Sequence, residues 1–187
     1  MKLMLLLCCT LSALAQERTA SLAGELDMVA RAATIMLDGD LCRRIQTPRS
    51  LGYLSTQNLP DPWFASDNFD VNHGPYIQTK KLLIRLARLA KQPCDVNLWM
   101  PLPGDPPRAQ VLIRNVLELS QFWKFGELMQ PLAPEMKQVL QEGKRIEVRK
   151  RPGFVSVLAP VYDSLGDIVA LVEVVGRLEP DPQEDVK

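Results

Sequence analysis

Residues 154–177, FVSVLAPVYDSLGDIVALVEVVGR, decide the fold class. Residues 154–161 and 168–176 are rich in Val, Leu and Ile, and Asp163-Ser164-Leu165-Gly166-Asp167 between them is a turn. The spacing predicts a β-hairpin. Its second arm is almost wholly apolar, which predicts a central strand covered on both faces.

Working outward, Pro152-Gly153 turns the chain into this hairpin. Residues 145–150 alternate charge with Ile146 and Val148, as an edge strand does. Further upstream, residues 94–102 set Val96, Leu98, Met100 and Leu102 against Asn97 and Trp99. Pro103-Gly104-Asp105-Pro106-Pro107 is a turn, and residues 109–115 are the returning strand of a second hairpin. Short helical pieces are expected over 120–129, which carries Phe122, Trp123 and Phe125, and over 134–142. Gly143 then serves as a C-cap.

Residues 21–45 read as a helix with Leu22, Leu26, Val29, Ala33, Met36 and Leu37 on one face, weakened at its far end by Gly39. Residues 47–74 are punctuated by Pro48, Pro60 and Pro62. They read as a long ordered loop or a set of short turns, and the aromatics Trp63, Phe64 and Phe69 argue against full disorder. Pro75 opens a second helix that runs to about Lys91, with Ile77, Leu83, Leu86, Ala87 and Ala90 buried. Lys81, Arg85 and Arg88 form a basic stripe on another face, read as solvated rather than as a phosphate site.

The chain starts with a short basic segment, an apolar run over residues 3–11 and the small-x-small pattern Ala13-Leu14-Ala15. This predicts a signal peptide over residues 1–15. Leu7 before Cys8 does not suit a lipobox, which wants a small residue there. Residues 16–178 are then one domain, and the charged, proline-containing residues 179–187 are a disordered tail. With 22 Lys and Arg against 22 Asp and Glu, no global field draws nucleic acid or an anionic membrane. No second apolar run reaches transmembrane length. The expected location is periplasmic or secreted. In such a compartment Cys42 and Cys94 either form a disulfide or stand as two separate buried thiols.

The element order is long helix, irregular segment, helix, two strands, short helices and three strands. With Asn97-Leu98-Trp99-Met100, the segment around Phe122-Trp123-Lys124-Phe125, and Ala159-Pro160-Val161-Tyr162-Asp163 followed by Gly166-Asp167-Ile168-Val169, it resembles a single Cache domain. Cache domains are extracellular PAS-like sensors. The resemblance implies an α+β fold in which a long N-terminal helix lies along a five-stranded antiparallel sheet carrying short inserted helices. It also implies a pocket between the sheet and the inserted helices, for which Trp99, Arg114, Trp123, Phe125, Arg149, Tyr162 and Asp163 are the candidates. Aromatics would form its walls, and an arginine would hold a carboxylate by two parallel hydrogen bonds. Cache sensors usually sit between two membrane spans and feed an output domain. This chain shows neither, so it would report to a signalling partner in trans.

Catalytic motifs are missing from the sequence. His73 is the one histidine, beside Gly74-Pro75, with no nucleophile motif near it. No CxxC, CxxCH, HExxH or glycine-rich phosphate loop occurs. Asp38/Asp40 read as a helix-end pair and Asp163/Asp167 as turn carboxylates. The expectation is a non-enzymatic binding domain without cofactor or metal, for a small organic anion. The alternative is an interaction module with a filled core that dimerises through its N-terminal helix.

Overall fold

A computed structural model describes residues 2–56, 70–102, 104–123, 127 and 129–178; for residues 2–18, 55 and 56 it describes the backbone alone. The chain is α+β, built on one antiparallel sheet of six strands. The helices are α1 (Lys2–Met36), α2 (Gly39–Arg43), α3 (Pro48–Thr56), α4 (His73–Ala87) and α5 (Pro134–Glu142). The strands are β1 (Cys94–Leu102), β2 (Arg108–Ile113), β3 (Met129–Pro131), β4 (Ile146–Val148), β5 (Phe154–Tyr162) and β6 (Ile168–Arg177). Their order across the sheet is β3-β2-β1-β6-β5-β4. The last hairpin is therefore central. β6 pairs with β1 on one side and β5 on the other, and all but its end residues are buried.

Period-two alternation gives β1, β2, β5 and β6 two buried faces. On one face Val96, Leu98, Val155, Val157, Val172 and Val174 pack under α1, α2 and α4, against Leu22, Leu26, Val29, Ala33, Leu83 and Leu86. On the other, Trp99, Val111, Leu158 and Leu171 pack under α5 and the segment 115–123, against Phe122, Met136 and Val139. Each large apolar side chain buried this way contributes about 1.5–3 kcal/mol. No described helix is long and apolar enough to cross a membrane.

Several expectations change. The helix expected over 21–45 ends at Met36, because Asp38 stops it and caps a new one: its carboxylate accepts the N–H groups of Asp40 (2.9 Å) and Leu41 (3.2 Å). Met36 consequently points outward, 54% exposed. Within 47–74, Thr47 caps α3 through Ser50 N–H, 3.0 Å away, with Pro48 at the first helical position. The aromatics Trp63, Phe64 and Phe69 lie outside the described residues. In α4 the buried stripe is Pro75, Tyr76, Thr79, Leu83 and Leu86, and Ile77 is on the outer side. Lys81, Arg85 and Arg88 are exposed, as a solvated face is. No described residue of 120–129 is helical. Instead Ser120 Oγ accepts the N–H groups of Phe122 and Trp123, and Met129–Pro131 adds a strand to the edge at β2, making the sheet six-stranded.

Candidate functional site

The residues expected to line one pocket are dispersed. Phe125 lies outside the described residues. Trp99 is a core residue: its ring packs edge-to-face on Phe122 at 6.2 Å, and its indole N–H donates to Glu173 at 3.1 Å. Arg114 and Trp123 do come together, the guanidinium carbon 4.2 Å from the ring centroid, and Arg114 also pairs with Glu118 at 3.6 Å. Arg149 stands at the β4 edge, ion-paired with Glu147. Tyr162 and Asp163 close β5 at the other end of the sheet, where the Tyr162 hydroxyl donates to Gly143 O at 3.2 Å. The space between Trp99, Trp123 and the α5 helix holds Phe122, Met136, Val139 and Leu158, so the expected pocket is filled core.

Polar groups run through this filled face. Asn97 and Glu173 are direct cross-strand partners, and Asp95 precedes Asn97 on the same face of β1. Asp95 accepts the N–H groups of Leu117 (3.1 Å) and Leu119 (2.8 Å). Asn97 takes Asn115 N–H at 3.0 Å and donates to Leu119 O at 2.7 Å. Glu173 accepts from Ser120 Oγ and Gln121 N, both at 2.7 Å. The segment 115–121 has no neighbouring strand, and these three side chains satisfy its backbone instead. Burial pushes the Glu173 and Asp95 carboxyls above their ordinary values, against the lowering effect of the donors. This is a clasp for a crossing segment. Sequence pattern shows only that Glu173 interrupts an apolar strand.

The open cavity lies on the other face. A cleft of about 410 Å³ at the Tyr162 end of the sheet is lined by Arg43, Gln46, Leu51, Leu54, Met100, Pro101, Leu102, Arg108, Ile168 and Val169. One wall is α3, the opposite wall is α2, and the floor is the ends of β1 and β6. Arg43 of α2 pairs with Asp163 at 2.9 Å. Gln46 donates to Gln110 of β2 at 2.6 Å. The cleft thus has apolar walls and two arginines from distant elements, chemistry of the kind that suits a small anion with an apolar body. A second groove of about 410 Å³ runs between α1 and the β4 edge, past Asp27, Arg145 and Arg149. There Arg145 bridges to Asp27 at 2.8 Å.

Asp163 is thus the predicted residue that reaches the cleft, through Arg43. Its role in the turn also stands: Oδ1 accepts Leu165 N–H at 3.0 Å and Asp167 N–H at 2.9 Å. Arg43 and Arg108 carried no sequence signal of their own, since each becomes a wall only when α2 and α3 dock on the sheet.

Cys42 and Cys94 are separate buried thiols, not a disulfide. Gly39 of α2 lies against Tyr162 and Val169, at the opposite end of the sheet from Cys94, which pairs with Gly176. Val169 and Gly176 are about 20 Å apart along a strand, whereas a disulfide needs Cα atoms within about 7 Å. Burial pushes both thiols up to about 12. Among the described residues no group of His, Cys, Asp or Glu is arranged to hold a metal ion. No protein-family model matches the chain, and no curated protein matches it.

Proposed function

We propose that this chain is a Cache-like, PAS-like sensor domain, periplasmic or secreted, that binds a small organic anion and reports to a signalling partner in trans. The observation that carries the reading is the cleft in which Arg43 and Arg108 stand between apolar walls at the end of the central hairpin. Arg43 is at once a cleft wall and the partner of Asp163 in the hairpin turn, so a ligand that engages it acts on the turn. The long helix lying along an antiparallel sheet, with the last hairpin at its centre, supports the sensor architecture. The anion sits in this cleft rather than on the filled face of Trp99 and Trp123. Among the described residues that line the cleft there is no Ser, Cys, His, Asp or Glu, which favours binding over catalysis.

A thermal-shift screen of carboxylic acids, amino acids and purines tests this. A ligand present at about a hundred times its Kd stabilises the native state by about 2.7 kcal/mol, roughly 5–10 °C in a domain of this size. A saturable rise with one class that disappears in Arg108→Gln supports the reading. No rise with any class overturns it.

One observation favours the interaction-module reading. The outer side of α1 exposes Met28 and Ile35 one heptad apart, and Gly24 has open space in front of it. Dimerisation there predicts a mass near twice 21.0 kDa by light scattering, lost in Met28→Glu/Ile35→Glu.

A further inference from the structure

The two ends of the sheet differ in chemistry. Tyr162, Ile168 and the cleft mark one end, which carries Asp38, Asp40, Asp163 and Asp167. Cys94, Phe154 and Gly176 mark the other. At this second end the chain turns at 115–119 and exposes Val116 (72%) and Leu117 (39%). Leu89, just past α4, is 50% exposed at the same end, close to Cys94, whose thiol donates to Ala87 O.

The apolar tip is held firmly. Val116 N–H donates to Asn115 Oδ1 at 2.9 Å and Leu117 N–H to the buried Asp95 at 3.1 Å. Glu118 takes a left-handed backbone, φ +54°, to complete the turn. Basic side chains stand at the same end of the sheet. Arg88 and Lys91 are exposed beyond α4, and Arg151 and Arg177 both lie over the Phe154 ring, at 4.7 and 5.3 Å. Among the described residues, Glu118 pairs with Arg114 at 3.6 Å, and Glu25 and Asp95 accept backbone N–H groups. Helix α1 passes this end where Leu22 meets Gly176.

We propose that this end of the domain docks on an anionic lipid bilayer surface. Val116 and Leu117 enter the interface, and Arg88, Lys91 and Arg151 meet headgroup phosphates. Two exposed apolar side chains on a fixed tip, with long cationic ones at the same end of the sheet, match the layering of a bilayer interface, apolar below and anionic above. The inference is independent of what the cleft binds.

The test is co-sedimentation of the full chain with phosphatidylcholine vesicles and with vesicles that also contain phosphatidylglycerol. The wild type is expected to favour phosphatidylglycerol, and salt should weaken that preference. Val116→Asp/Leu117→Asp is expected to cut binding on the order of tenfold, and Arg88→Glu/Lys91→Glu to remove the lipid preference. Leu165→Asp, on an exposed apolar residue at the opposite end, should change nothing. All of these side chains are exposed, so thermal midpoints should stay put and report intact folding. Equal binding to both vesicle types, or a tip variant that binds like the wild type, overturns the proposal. So does loss of a protein partner by the tip variant with vesicle binding unchanged.

Discussion

Arg43 Nη1 lies 2.9 Å from Asp163 Oδ2 and joins the wall of the cleft to the turn of the central hairpin. The two side chains differ in environment: Asp163 is buried, while Arg43 is half in solvent. On the proposed reading, an anion in the cleft would compete with Asp163 for one guanidinium, and that competition would link ligand and hairpin.

Asp163→Asn separates the two roles of this carboxyl. The amide oxygen still accepts from Leu165 and Asp167, so the turn persists, but the charge that holds Arg43 is gone. Anion affinity should rise several-fold, by about 1 kcal/mol. Asp163→Ala also strips the turn of its acceptor and should cost about 2 kcal/mol in denaturant melts. Equal stability of the two variants would contradict this division.

Gly39 is where α2 touches the hairpin. A Cβ there would stand 2.5 Å from Tyr162 O and 2.6 Å from Val169 Cγ2. The first of these is backbone and cannot rotate aside. Gly39→Ala should therefore destabilise by about 1–3 kcal/mol despite alanine's higher helix propensity. Urea unfolding measures it, and a neutral or stabilising result would show that α2 does not seat as described.

The buried Glu173 sets a pH dependence. The unfolded chain loses this proton near the ordinary value of 4.5, and the folded chain only above it. Between those values the native state holds the extra proton, so stability falls as pH rises. Glu173→Gln removes the ionisation. The variant should gain on the wild type as pH rises above the ordinary carboxyl value of 4.5. Asp95 is raised in the same direction but is present in both proteins, so the difference isolates Glu173. Parallel stability curves would contradict the account.

Burial also silences the two cysteines. With their thiols pushed up to about 12, Cys42 and Cys94 carry almost no thiolate at neutral pH. Alkylation followed by peptide mass spectrometry should label both no faster than the protein unfolds. Rapid native-state labelling of either, or a linked Cys42–Cys94 peptide, would show otherwise.

Local signals made much of the sheet legible. The alternation over 94–102 fits β1, and Pro134 with Gly143 brackets α5, because both patterns depend on neighbours in sequence. What was not legible depends on distant partners. β3 has three residues and no pattern of its own; it is a strand because β2 offers it an edge. Glu173 interrupts an apolar run, but the groups that make it tolerable, Trp99 and Ser120, lie 74 and 53 residues away. As aromatics, Trp99 and Trp123 suit a pocket wall or, more often, the core, and Phe122 seen against Trp99 puts that ring in the core. Arg43 looks like a helix-end charge until α2 docks on the turn, and only then does Asp163 lead to the cleft.

The most direct measurement is calorimetric titration of the anion that gives the largest thermal shift, into the wild type and into Arg43→Gln, Arg108→Gln and Arg114→Gln. The account predicts saturable binding in the wild type and in Arg114→Gln, and a loss of at least about tenfold in each cleft variant. Binding that survives in both cleft variants and fails in Arg114→Gln would place the site on the Trp123 side and contradict it.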